Sequence, residues 1–151
     1  MPYSQTGVPV CTMTALLRST MFSARFSELE AMRLFLEAFC ADAAIVRTTC
    51  LRINLVLEEL FTNTVRHGHH GDCDAPVWVS LAGLERRLTV TYEDTAPPFN
   101  PYARLFEPGS QPGGLGVLLT RELSASRDYA YLFGRNCIRL ALNLDAPRTT
   151  G

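Results

Sequence analysis

The sequence lacks the features that would commit it to several large classes of protein. Its 151 residues hold no apolar run near the roughly 20 that a membrane-spanning helix needs. The start, Met1-Pro2-Tyr3-Ser4-Gln5-Thr6, has neither the charged leader nor the apolar stretch of a secretory signal. Charge of one sign is not in excess. The 14 basic residues against 15 acidic ones leave −1, which favours neither nucleic-acid phosphates nor a membrane surface. The five cysteines (Cys11, Cys40, Cys50, Cys73, Cys137) are odd in number, scattered and without a CxxC pair. They read as reduced thiols of a cytoplasmic protein rather than a disulfide framework. Repeats, low-complexity tracts and interior linkers are missing too, so residues 1–151 read as a single domain with its core at about 16–144. What the chain does have is apolar content: 47% of it is hydrophobic, enough to bury a core.

The first ten residues and residues 145–151 read as loose ends. Residues 12–22 mix β-branched and aliphatic side chains and suit a strand. Ser27-Glu28-Leu29-Glu30 has the form of a capping box, and Leu29, Met32, Leu36 and Phe39 continue from it at helical spacing. After a break at Asp42 to Ala44, a second helix is expected from about Ile45 to His67, with Gly68 as its C-cap. Val77, Val79 and Leu81 then alternate with Trp78 and Ser80. Past a turn at Gly83 to Arg87, Leu88, Val90 and Tyr92 alternate with Thr89 and Thr91, which makes a β-hairpin. Proline and glycine are dense from Asp94 to Gly116, excluding regular structure over most of that span; a loop of this length usually carries function. Leu115 to Leu123 reads as a helix. Tyr129, Tyr131 and Phe133, then Ile138, Leu140, Leu142 and Leu144, form a second hairpin turning at Gly134-Arg135-Asn136. The expected class is α+β: a two-layer α/β sandwich, its sheet mixed but mostly antiparallel, with helices on one face.

Some polar residues sit where this pattern wants apolar ones. Stepping 100° per residue from Ile53, the side chains of Val56, Leu57, Leu60 and Thr64 fall within about 60° of it and face the sheet. Glu59 and Asn63 lie on one shoulder of that stripe, whereas Glu58 lies on the other, so the two adjacent glutamates cannot serve one purpose. A half-sunk carboxylate can orient or deprotonate a nucleophile, and an amide oxygen can ligate a hard cation such as Mg²⁺. A polar shoulder bonded to a neighbouring strand is the plainer alternative. Asp94 continues the Leu88, Val90, Tyr92 series onto the buried face, where an unpaired carboxylate is expensive. Its partner is either the protein itself or a ligand with N–H donors, such as an adenine amino group.

Gly113-Gly114-Leu115-Gly116 leads directly into a helix. Such glycines admit close approach of a ligand, and the free N–H groups of a helix start attract phosphate; an ordinary tight turn is the alternative. The spacing is neither that of a Walker A loop nor GxGxxG. His67-Gly68-His69-His70-Gly71-Asp72-Cys73 carries zinc-type ligands, but in one short loop and at no known finger spacing, so solvated loop histidines are expected there.

The order of these signals resembles a known superfamily. Leu57-Glu58-Glu59-Leu60-Phe61-Thr62-Asn63-Thr64-Val65-Arg66-His67-Gly68 resembles the N-box of the histidine-kinase-like (GHKL, Bergerat-fold) ATPases. Glu93-Asp94-Thr95-Ala96-Pro97-Pro98-Phe99-Asn100-Pro101 is similar to their first glycine box, in the form typical of the anti-sigma-factor serine/threonine kinases. Gly113-Gly114-Leu115-Gly116 resembles the second. The resemblance implies a Bergerat ATP-binding fold with ATP and Mg²⁺ as cofactors. It makes Glu59 the catalytic base and Asn63 the Mg²⁺ ligand, with Asp94 taking the adenine amino group. Asn63, Arg66, Asp94, Ala96, Phe99, Gly113, Gly114, Leu115, Gly116 and Asn136 would hold the nucleotide, under a lid from Tyr102 to Pro112. Ala96 departs from the pattern, standing where the first box usually has glycine, and Arg104 is the only cation in the lid.

Carried over to function, the resemblance implies an ATP- and Mg²⁺-dependent serine/threonine-protein kinase that phosphorylates a STAS-type antagonist protein, binds a sigma factor and forms a homodimer. The rival is a non-catalytic nucleotide-binding regulatory module that sequesters a protein partner. A zinc hydrolase built on the histidine loop is a third reading.

Overall fold

The computed structural model describes residues 15–102 and 126–144. Five strands and two helices run in the order β1 (Leu16–Ser23), α1 (Leu29–Asp42), α2 (Arg47–Asn63), β2 (Pro76–Leu84), β3 (Arg87–Asp94), β4 (Ser126–Leu132) and β5 (Arg135–Asn143). The strands form one sheet in the order β1-β2-β3-β5-β4, and every pairing among the described residues is antiparallel. This is the expected α+β sandwich, with an antiparallel rather than a mixed sheet in the described part. No helix among the described residues is long and apolar enough to cross a membrane.

Alternation decides which face of the sheet is covered. Val77, Val79 and Leu81 on β2, Leu88, Val90 and Tyr92 on β3, and Ile138, Leu140 and Leu142 on β5 are all buried, while the residues between them, except the small Ala141, are more exposed. Against that face pack Met32, Leu36 and Phe39 of α1 and Ile53, Val56, Leu57, Leu60 and Phe61 of α2. Phe22 of β1 meets Phe35 of α1 edge to face, with ring centroids 6.1 Å apart.

The helix ends differ from expectation. Ser27 does not cap α1. A 3₁₀ turn at Phe26–Glu28 precedes the helix, Glu28 takes the N-cap position without a side-chain cap, and Glu30 bonds Arg33 instead. Helix α1 stops in a Schellman motif: Ile45 N–H donates to Cys40 O at 2.9 Å and Ala44 N–H to Ala41 O at 3.3 Å. Ala44 takes the left-handed conformation there, at φ 55°. Helix α2 is not closed by Gly68 in a left-handed conformation. It runs into a π turn at Thr64–Gly68, and the His69 N–H donates to Thr64 O at 2.9 Å. The expected helix at Leu115 to Leu123 lies outside the described residues, as do the two chain ends.

Candidate functional site

The π turn brings the end of α2 against the end of β3. Thr64, on the apolar stripe of the sequence, is buried at 3% exposure, and its hydroxyl donates to Asp94 Oδ2 at 2.6 Å. The Tyr92 hydroxyl lies 2.7 Å from Thr64 Oγ1. Burial pushes the Tyr92 phenol well above its ordinary range, so it stays protonated and donates to Thr64. One carboxylate thereby anchors a chain of two hydroxyls through the core.

Asp94 Oδ1 accepts from the Ala96 N–H at 3.1 Å and from Asn136 Nδ2 at 2.8 Å. Those two bonds fill the capacity of Oδ1. A carboxylate offers about four lone-pair sites, so Oδ2, which among the described residues takes only Thr64, retains one there. Asp94 is 6% exposed and lines a cavity of ≈180 Å³ together with Asn63, His67, Gly68, Ala96 and Phe99.

Asn136 stands opposite Asp94 in the strand register and is 2% exposed. Its amide nitrogen has two hydrogens for three acceptors and shares them among Asp94 Oδ1, Ala96 O at 3.0 Å and Pro97 O at 3.1 Å. Its oxygen accepts from Phe99 N–H at 2.9 Å and from the Tyr129 hydroxyl at 2.6 Å. Every polar group of the Asn136 side chain is thus spent on shaping the Ala96–Phe99 loop, which makes it a positioning residue. Ala96 keeps an ordinary backbone, since it is not among the residues at positive φ, and its methyl is buried.

Of the nucleotide residues read from the sequence, Asn63, Asp94, Ala96, Phe99 and Asn136 come together around this cavity. Glu59 lies one turn before Asn63, half-buried and without a hydrogen-bond partner among the described residues, whereas Glu58 accepts from Asn54 Nδ2 at 2.9 Å. The two glutamates do separate as their helical angles require. Asn63 has no side-chain partner among the described residues either. Arg66 lies off the cavity wall, its guanidinium 5.5 Å from the Phe26 ring centroid. Tyr102, at the start of the expected lid, is buried in the core cluster. The rest of the lid, Arg104, and Gly113, Gly114, Leu115 and Gly116 lie outside the described residues. Among the described residues no three His, Cys, Asp or Glu side chains converge as a metal site. Cys40, Cys50, Cys73 and Cys137 are free thiols.

Thr64, His67 and Ile138 also line the cavity; none of the three stands out in the sequence as a nucleotide contact. Helical spacing does place His67 one turn after Asn63, a signal obscured by its neighbours in the histidine loop.

A family model described as "Histidine kinase-like ATPase domain" matches residues 22–142. The chain belongs to that family. Comparison with the curated proteins gives no match. Among solved structures, that of the RsbU and RsbW domains of Rv1364c from Mycobacterium tuberculosis is similar to this histidine kinase-like ATPase chain, with a TM-score of 0.64 at 16% identity. The match covers 87% of this chain and 33% of that one, so the chain spans about a third of that structure's length. The histidine kinase AdeS of Acinetobacter baumannii gives a TM-score of 0.48 at 17% identity, over 87% of this chain and 70% of the other. At 16% identity the likeness to the Rv1364c structure is one of fold.

Proposed function

We propose that the chain binds ATP with Mg²⁺ and transfers the γ-phosphoryl group to a serine or threonine of a STAS-type antagonist protein. In this reading it acts as a homodimer in a cytoplasmic partner-switching circuit that includes a sigma factor. The observation that carries the nucleotide part is the unfilled acceptor site on a buried Asp94 carboxylate at a cavity wall. An exocyclic amino group is the donor that site suits, and the neutral donors already on Asp94 leave its charge in place for it. Family membership and the first-box form of Asp94 to Pro101 supply the kinase part.

Asn63 fits a hard-cation ligand, because its amide oxygen is uncommitted among the described residues and the residue lines the cavity. Bound Mg²⁺ would neutralise charge on the β- and γ-phosphates. The acceptor hydroxyl oxygen forms the new bond to the γ-phosphorus as the bond to the bridging β,γ-oxygen breaks. ADP leaves, and the hydroxyl proton passes to Glu59, whose carboxylate is free of other bonds among the described residues.

Incubation with labelled ATP, Mg²⁺ and a STAS-type protein tests this reading. Label should appear on the STAS protein, and E59Q should lower transfer by about a hundredfold or more with ATP affinity within a few-fold of wild type. Tight binding without transfer in the wild type would instead establish the sequestering module. Calorimetry showing no heat with ATP or ADP at millimolar Mg²⁺ would remove both.

A further inference from the structure

Gly68 closes the π turn and Ala96 opens the loop after β3, and both line the cavity. Gly68 makes no use of a left-handed backbone; the described glycines at positive φ are Gly71 and Gly134. What Gly68 supplies is room. A Cβ built on it would lie 2.5 Å from the Ala96 Cβ, a separation that two methyl groups do not tolerate.

Neither backbone can retreat cheaply. Ala96 is pinned through its N–H to Asp94 and through its carbonyl to Asn136. The turn around Gly68 is held by the His69 N–H on Thr64 O and the Gly71 N–H on Val65 O, at 2.9 and 2.8 Å. The same added Cβ would meet the Ala96 Cα at 3.8 Å and the Asn63 carbonyl oxygen at 3.9 Å, which are ordinary contacts. The gap therefore admits one methyl group, from either side, and not two.

We propose that Gly68 and Ala96 are a coupled positioning pair. The single methyl between them fixes the spacing of the two walls that carry Asn63 and Asp94, and Gly68 is what lets alanine stand in a glycine-box position. Only the affinity readout rests on the proposed nucleotide function, because the steric coupling is measurable without ligand.

The test measures G68A in two backgrounds, wild type and A96G, by apo melting temperature and by ATP calorimetry with Mg²⁺. In the wild-type background G68A should lower the melting temperature by about 5 °C, from overpacking. It should also weaken ATP binding about tenfold or more, through displaced walls. In the A96G background the same substitution should change either readout far less, because the exchange conserves volume. Equal effects in both backgrounds would overturn the pairing. If G68A does not fold, recovery of folded protein in G68A/A96G supports the pair, and its failure refutes it. Should wild type bind no ATP, the proposed function falls while the melting cycle still decides the pair.

Discussion

Among the described residues three donors converge on the Asp94 carboxylate, and an amide in its place could serve only some of them. In D94N the amide oxygen can take over the two bonds of Oδ1, and Thr64 can turn its proton to Leu60 O, 3.0 Å away. The new NH₂ then fills the site that an incoming amino group would need. D94N should therefore lose roughly 1–2 kcal/mol of stability in urea titration and nearly all ATP affinity. Burial also pushes the Tyr92 phenol well above its ordinary value. Below about pH 10 both folded and unfolded chains keep this proton; above it the unfolded chain releases the proton and the folded one does not. Stability should fall as pH rises beyond about 10, and Y92F should flatten that slope in denaturation series run between about pH 8 and 11. At neutral pH the same variant should lose about 1 kcal/mol with the bond to Thr64.

At the scale of elements, the Schellman end of α1 puts an alanine where the backbone is left-handed, at φ 55°. A44G should stabilise the protein by about 1 kcal/mol, read as a raised urea midpoint at constant slope. The hairpin of β2 and β3 is legible in the sequence because one face of each strand is buried, so the period of two is written plainly. Helix α2 is legible for the same reason at the helical period, and with it the separation of Glu58 from Glu59. The π turn is not legible: it lies where Thr64 bonds a strand residue 30 positions on, a contact that no local pattern carries. Ser27 shows the converse failure. Its capping-box spacing is correct, but the 3₁₀ turn tied by the Phe26 N–H to Asp72 moves the helix start past it. Asn136 reads as a ligand contact by its place in the hairpin, whereas its bonds to Asp94, Ala96, Pro97, Phe99 and Tyr129 emerge only once β5 lies beside β3.

Across the whole molecule, bound nucleotide should raise the melting temperature, because a ligand at about a hundred times its dissociation constant adds about 2.7 kcal/mol. N63A should keep part of that gain and lose its dependence on Mg²⁺, checked by repeating the melt with EDTA. Thr64, Asp94 and Asn136, whose side chains tie the cavity walls together, lie far apart along a chain of 151 residues. During synthesis the helices and first hairpin leave the ribosome before Asn136 does, and until then Asp94 lacks one of its three donors. Strand β5 brings Asn136 together with the core residues Ile138, Leu140 and Leu142, so the packed body and the pocket are completed by the same element. A ribosome-stalled fragment ending before β5 should remain unable to retain nucleotide, whatever helical content it has gained.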